Sequence, residues 1–133
     1  MLDGFARSIT YLRISITDRC NYRCRYCMPD GGIEKCAHED ICSLEELRDM
    51  AAAAVRCGVK KTRVPGGEPL VRRGAVDFCR MLSSIAGVEE LCVTTNGSLL
   101  KEVARPRRDA GVTHLNISLD TLNEERFRAI TRL

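Results

Sequence analysis

Hydrophobic and polar residues follow a repeating order along this chain. Leu12, Ile14 and Ile16 alternate with polar residues, which is the period of two expected of a β-strand. The segment 43–46, Ser-Leu-Glu-Glu, matches a capping box and predicts the start of a helix that ends at Gly58. The same pattern predicts further strands at 59–64, 90–94 and 114–120, and further helices at 75–86, 98–110 and from about 123.

Four strand–helix pairs with short connections predict a parallel α/β fold. An open doubly wound sheet and a barrel both fit that count. In the fourth predicted strand, polar residues on one face alternate with Leu115, Ile117 and Leu119 on the other. Parallel strands buried on both faces read as continuous apolar runs, so this alternation favours a barrel with a polar interior. An antiparallel sheet would alternate too, but the intervening helices argue against it. The polar face of that strand consists of His114, Asn116, Ser118 and Asp120.

Three cysteines follow the first predicted strand at the spacing C-x3-C-x2-C: Cys20, Cys24 and Cys27. Thiolates bind chiefly zinc and iron–sulfur clusters. A structural zinc site takes four ligands, usually as two pairs, whereas this loop supplies three. A four-iron cluster held by three cysteines keeps one iron open to another ligand. The motif therefore favours an iron–sulfur centre with an open position.

The chain has eight cysteines, an even number that a disulfide framework would also explain. No apolar signal segment begins the sequence, and cluster spacing accounts for three of the thiols, so free cysteines are expected. Cys36 and Cys42, with His38 between them, are possible zinc ligands, although a variable loop with incidental thiols is the simpler interpretation. Small buried side chains are predicted at Cys57, Cys79 and Cys92.

Composition predicts one soluble domain, with 44% hydrophobic and 29% charged residues in 133. The net charge of +3, from 21 basic and 18 acidic residues, is too small to indicate a nucleic-acid partner. No run approaches the roughly 18 apolar residues that a membrane span needs. We therefore expect a cytoplasmic protein that does not contact a membrane.

The cysteine motif, with Tyr26 before its last cysteine, resembles the signature of the radical S-adenosylmethionine (SAM) superfamily. Its surroundings are similar to one branch, the GTP 3',8-cyclase family of molybdenum cofactor biosynthesis. The similarity covers about residues 11 to 132. It is carried by the segments 12–21, 27–29, 66–70 (Gly-Gly-Glu-Pro-Leu), 94–97 (Thr-Thr-Asn-Gly) and 116–120 (Asn-Ile-Ser-Leu-Asp).

This resemblance implies a partial TIM-type barrel, of which residues 1–133 would form the N-terminal part with about four βα units. It also implies that Cys20, Cys24 and Cys27 bind a [4Fe–4S] cluster whose open iron takes SAM. The reduced cluster would cleave SAM to a 5'-deoxyadenosyl radical, which abstracts the 3' hydrogen of GTP so that this carbon attacks C8. The implied SAM contacts are Tyr26, Gly67 and Ser118, and the implied GTP contacts are Arg13, Arg63 and Thr94.

The family also implies partners for this chain. These are GTP, a reductant for the cluster, a downstream cyclic pyranopterin monophosphate synthase and, in the full-length family, a homodimer. A second [4Fe–4S] cluster would be held by three cysteines of a C-terminal extension, but no cysteine follows Cys92 here. Two other interpretations stay open: another radical SAM enzyme acting on a peptide or small metabolite, and a noncatalytic or degenerate metal-binding domain.

Several positions depart from the family or admit a structural role. Pro65 stands where a threonine is usual, Pro106 should kink or shorten the third helix, and Gly74 replaces a capping aspartate. Arg13 and Arg63 could instead form internal salt bridges with Asp18 or Asp120. A solvated basic edge is expected at Arg72 and Arg73.

Overall fold

The computed structural model describes residues 2–29, 31–34, 37 and 40–133. Strands and helices alternate in the predicted order, and a short 3₁₀ turn, Pro69–Val71, follows the second strand. The strands are β1 (Tyr11–Arg13), β2 (Lys61–Val64), β3 (Glu90–Thr95) and β4 (His114–Ile117). The helices are α1 (Leu44–Arg56), α2 (Ala75–Ser83), α3 (Leu100–Asp109) and α4 (Glu124–Thr131).

The strands form one parallel sheet in the order β1-β2-β3-β4. Parallel pairing rules out the antiparallel alternative. A doubly wound sheet reverses its strand order at a switch point, whereas this sheet adds each strand on the same side of the last. Because such crossovers are right-handed, the intervening helices lie on one face, which is the arrangement of a barrel wall. The α/β prediction is confirmed.

The hydrophobic core lies between the sheet and α1, α2 and α3. Phe78 of α2 is fully buried. The buried core residues of the sheet side are Ile14, Ile16, Val64, Leu91 and Val93, and those of the helix side are Ala51, Ala75, Phe78, Cys79, Leu82 and Ala110. The polar side chains of the strands lie on the opposite face of the sheet. Because the helices pack on the apolar face, the other face stays polar.

The starts of α1 and α2 agree with the sequence prediction, but α2 ends at Ser83 instead of residue 86. Ser43 caps α1 and forms the predicted capping box with Glu46, whose backbone N–H donates to the Ser43 hydroxyl at 3.1 Å. Gly74 is the N-cap residue of α2, with φ of 84° and no side-chain cap. Pro106 does not end α3, which continues to Asp109. No helix in the described ranges has the length and apolar character needed to cross a bilayer.

Three strands are shorter than predicted, and one of them, β2, begins at Lys61 instead of Val59. β1 ends at Arg13 instead of Thr17, although the amides of Ile14 and Ile16 still donate to the carbonyls of Arg63 and Pro65 at 3.0 and 3.3 Å. Regular pairing stops because the chain turns into the cysteine loop, but the extended path continues. β4 ends at Ile117 instead of Asp120, and beyond it only the Ser118 amide continues the strand pairing, by donating to the Thr95 carbonyl at 2.9 Å.

The apolar face of β4 was expected to pack on helices, but it does not. Leu115, Ile117 and Leu119 are 41%, 53% and 54% exposed. Among the described residues, none of α4 belongs to the core cluster, and the C-terminal end of α4 contacts the cysteine loop, where the Arg23 amide donates to the Thr131 carbonyl at 2.9 Å.

The prediction that Cys57 is buried is also wrong. Cys57 is exposed because it is the C-cap of α1, just beyond the last turn that packs on the core. Cys79 and Cys92 are buried as predicted.

Candidate functional site

The cysteine loop leaves the sheet at the carboxyl end of β1, the edge where parallel α/β enzymes place their sites. The carbonyl of Cys24 accepts from the amides of Cys27 and Met28 at 2.9 and 3.2 Å, which forms a tight turn. The backbone N–H of Tyr22 lies 3.4 Å from the Cys20 sulfur. Cys20 and Cys24 are half-buried, Cys27 is exposed, and every cysteine in the described part is a free thiol.

The three sulfurs of this loop influence one another. Partial burial raises the pKa of the Cys27 thiol, and the neighbouring Cys24 and Cys20 raise it further, followed by Asp120. Thiolates held this close repel, and a cationic centre would relieve the repulsion. Within the described ranges, no three metal-ligating side chains converge on a single ion. Three thiols on one loop are the donor set of a cluster with one open iron, whereas a structural zinc ion takes four ligands.

The alternative zinc ligands cannot be placed together. Cys36 and His38 lie outside the described residues, and Cys42 is an exposed free thiol.

The glycine loop after β2, residues 66–70, contacts residues 17–19, where the chain enters the cysteine loop. The amides of Gly67 and Glu68 donate to the carbonyls of Thr17 and Arg19 at 2.7 and 2.8 Å. A Cβ at position 67 would lie 2.8 Å from the Asp18 carbonyl oxygen and closer still to that of Arg19. Only glycine permits this approach. The missing amide of Pro65 does not prevent it, and the Pro65 carbonyl accepts from Ile16.

Glu68 is a buried carboxylate, 1% exposed, that joins this loop to the end of β3. One oxygen accepts from the Leu70 amide at 3.1 Å and from the Thr95 hydroxyl at 2.8 Å. The other accepts from the Asn96 amide at 2.6 Å. A buried carboxylate needs such donors, and these fix the relative positions of the two loops.

Tyr26, in the cysteine loop, and Ser118, just after β4, are both exposed. The Tyr26 phenol is exposed and donates to an Asp120 carboxylate oxygen at 2.9 Å. This hydrogen bond, with partial burial and the nearby Cys24 thiol, raises the pKa of Tyr26 well above its usual range. Ser118 is exposed, and its amide donates to the Thr95 carbonyl at 2.9 Å.

Arg13 and Arg63 are direct neighbours on the polar face of the sheet, paired across β1 and β2. The Arg63 guanidinium lies over the Tyr11 ring, 5.7 Å from its centroid. When the side-chain oxygen of Asn116 faces the Arg63 guanidinium, it lies 3.2 and 3.3 Å from the two terminal nitrogens of that group. The Nε of Arg63 and the hydroxyl of Thr94 are buried without partners. Asp120 is already engaged by Tyr26.

Several site residues were not found from the sequence. The sequence places Glu68 in the segment 66–70 and Asn96 in the segment 94–97, but it assigns no role to either side chain. Arg72, expected to be a solvated edge residue, instead donates to the carbonyls of Ile16 and Cys42. A local sequence pattern does not reveal these hydrogen bonds, because they join residues far apart in the chain. Arg73 is exposed, as expected.

The cysteine loop, the glycine loop and the one-sided parallel sheet together define the radical SAM class of protein. The chain matches the sequence model of the Radical SAM superfamily over residues 14–132 and belongs to that superfamily. It is 57% identical over 132 residues to the GTP 3',8-cyclase of Peptoclostridium acidaminophilum. It is 56% identical over 133 residues to that of Geobacter sulfurreducens. In both comparisons nearly all of this chain is aligned, but it spans only 41% of the relative's length.

Solved structures confirm the fold. Streptococcus suis SuiB bound to the precursor peptide SuiA superposes with a TM-score of 0.71 at 18% identity, covering 91% of this chain and 26% of SuiB. BtrN in complex with AdoMet and 2-DOIA gives a TM-score of 0.62 at 16% identity, covering 93% of this chain and 51% of BtrN. At these identities the likeness shows the partial-barrel fold alone.

Proposed function

We propose that this chain carries the cluster-, SAM- and GTP-binding residues of the barrel of a GTP 3',8-cyclase. Such an enzyme converts GTP to (8S)-3',8-cyclo-7,8-dihydroguanosine 5'-triphosphate in the first step of molybdenum cofactor biosynthesis. The proposal rests on one observation above all: Arg13 and Arg63 are paired neighbours on the polar side of the sheet, and β1, which carries Arg13, leads into the cysteine loop. A substrate that carries a triphosphate would neutralise them.

In this proposal Cys20, Cys24 and Cys27 hold the [4Fe–4S] cluster as thiolates. When bound and reduced, the cluster and SAM supply a radical able to abstract hydrogen from an unactivated carbon. The chain's own residues bind and orient. Gly67, Tyr26 and Ser118 are exposed, so that SAM can reach each of them, and the backbone at Gly67 would contact its methionyl end.

The substrate side of the proposal is electrostatic. Arg13 and Arg63 are like charges in register, an arrangement that is unfavourable without an anion between them. Guanidinium groups bind phosphate oxygens with paired hydrogen bonds. The unpartnered Nε of Arg63 and hydroxyl of Thr94 lie on the same face and can contribute a further donor each. This arrangement supports a phosphorylated substrate over an uncharged one.

The partners follow from the activity. One external reductant must supply an electron for each cleavage of SAM, and the unstable cyclised nucleotide must pass to a cyclic pyranopterin monophosphate synthase. The family also implies a homodimer and a second cluster held by a C-terminal extension, and no cysteine of this chain follows Cys92.

The first experiment is anaerobic reconstitution of the chain with iron and sulfide, followed by electron paramagnetic resonance (EPR) of the reduced protein with and without SAM. We expect a four-iron signal that changes when SAM is added. Cys24→Ala should lose it, whereas Cys57→Ala, an exposed cysteine far from the loop in sequence, should retain it. A folded chain that binds zinc, or no metal at all, would overturn the proposal in favour of a noncatalytic domain.

The second experiment separates GTP from other substrates. Calorimetric titration of the reconstituted chain with GTP should show binding that weakens about tenfold in Arg63→Gln, the loss expected for one charge-assisted hydrogen-bonding group. Arg73→Gln, which removes an exposed charge, is the matched control. Equal affinity in wild type and Arg63→Gln would contradict the GTP assignment. A radical SAM enzyme acting on a peptide or uncharged metabolite would then be the better interpretation.

A further inference from the structure

Asn96 lies immediately after β3, and its side chain reaches the cysteine loop. Its Nδ2 donates to the Cys20 sulfur at 3.9 Å, within the longer range of hydrogen bonds to sulfur, and to the Asn21 side-chain oxygen at 2.9 Å. Asn96 is therefore a polar contact from outside the loop to a proposed cluster ligand.

The orientation of this amide is determined by its other end. The Asn96 Oδ1 accepts from the backbone N–H of Ser98 at 2.9 Å and from the Ser98 hydroxyl at 2.7 Å. A backbone N–H can only donate, so the atom that faces it must be the oxygen. The amide nitrogen consequently faces the sulfur, and an N–H group points toward Cys20.

Asn96 is also held in place from both sides. The buried Glu68 carboxylate accepts from the Asn96 backbone amide at 2.6 Å. The Asn21 side chain accepts from Asn96 and donates to the Ser98 hydroxyl at 2.8 Å, which closes a small network. A donor fixed in this way is preorganised and does not need to rearrange when the charge on the sulfur changes.

We propose that Asn96 is a positioning residue that raises the reduction potential of the cluster bound through Cys20. This inference rests on the proposed function, because it requires the cluster. Reduction adds one electron, from an external reductant, and places more negative charge on the sulfur ligands. An N–H donor stabilises that charge, and hydrogen bonds to the sulfurs are among the factors that set cluster potentials. Asn96 thus favours the reduced state that SAM cleavage needs.

The test is an EPR-monitored redox titration of the reconstituted full chain with dithionite. Asn96→Asp keeps an oxygen that can accept from Ser98 but replaces the N–H donor. Asn96→Ser is uncharged, still caps the Ser98 amide and is too short to reach Cys20. We expect reduction to become about tenfold less favourable in Asn96→Ser, which is about 59 mV for a one-electron couple, and less favourable again in Asn96→Asp.

A matched control isolates the effect of charge. Asn21→Asp places a carboxylate beside Cys20 and keeps an oxygen that can accept from Asn96, so the Asn96 donor stays in place. Its potential should fall by less than that of Asn96→Asp. An unchanged potential in Asn96→Ser, or equal shifts in the two aspartate variants, would overturn this inference while leaving the cluster assignment intact. Failure of the wild-type chain to form a cluster would overturn the proposed function itself.

Discussion

The Tyr26 phenol donates a hydrogen bond to the Asp120 carboxylate across 94 residues of sequence, and this contact ties the cysteine loop to the segment after β4. Because the donor and acceptor are exposed, the bond's energetic contribution is small, but its position makes it a measure of whether the loop is docked.

A double-mutant cycle with Tyr26→Phe and Asp120→Ala should give a coupling energy of about 0.5–1 kcal/mol in urea unfolding. The Tyr26 pKa is raised in the folded chain, so this stabilisation is present below the unfolded value of about 10 and is lost as the pH rises above it. The coupling energy should accordingly be constant from pH 7 to 9. A coupling energy of zero throughout would mean that the loop is not docked in solution.

Replacing Gly67 should disturb the site more than replacing its neighbour. A methyl group at 67 would meet the backbone carbonyls of Asp18 and Arg19, which cannot move aside, whereas one at 66 would touch Thr17 at 3.1 Å. Gly67→Ala should lower the free energy of unfolding by about 2 kcal/mol and Gly66→Ala by less. Gly4→Ala, with nothing within 4 Å, is the control. Equal stability of the Gly67 and Gly4 variants would refute the close approach.

Arg107 is expected to cost the chain stability. It is 2% exposed, its Nε and Nη1 have no partners, and it lies in the layer that contains Cys79. Burial lowers the pKa of Arg107, which reflects the cost of holding its charge there. Arg107→Leu should therefore raise the free energy of unfolding by about 1 kcal/mol or more.

The control for Arg107 is its exposed neighbour. Arg108→Leu should change stability by less than about 0.5 kcal/mol. If Arg107→Leu is destabilising instead, the arginine has an anionic partner in solution.

Alkylation should distinguish the cysteines. At pH 8 iodoacetamide should modify the exposed Cys42 and Cys57 quickly, and the exposed Cys27 more slowly, because its raised pKa leaves less of the reactive thiolate. Cys79 should react slowly, since burial hides it and raises its pKa to about 11. After reconstitution with iron and sulfide, Cys27 should become protected together with the other two loop cysteines, while Cys42 and Cys57 stay reactive. Peptide mass spectrometry measures each site. Protection of Cys42 without protection of Cys27 would indicate a different metal site.

Local patterns predicted much of this fold correctly. The capping box of α1, the alternation of β4 and the order of strands and helices depend on residues close together in sequence, where helix and strand periods are visible. The cysteine spacing and the glycine loop were likewise readable, because a loop motif contains its own ligands. Their assignment to a cluster and SAM remains a prediction.

By itself, then, the sequence determined the parallel α/β order, the cysteine loop and the superfamily, since each is encoded in neighbouring residues. Tertiary structure alone decided that Glu68 joins two loops, that Asn96 faces Cys20, that Arg107 is buried and that the outer face of β4 is exposed. Each of these depends on which distant segments meet. Such long-range contacts follow from the packing of the whole chain, which the local pattern of hydrophobic and polar residues does not specify.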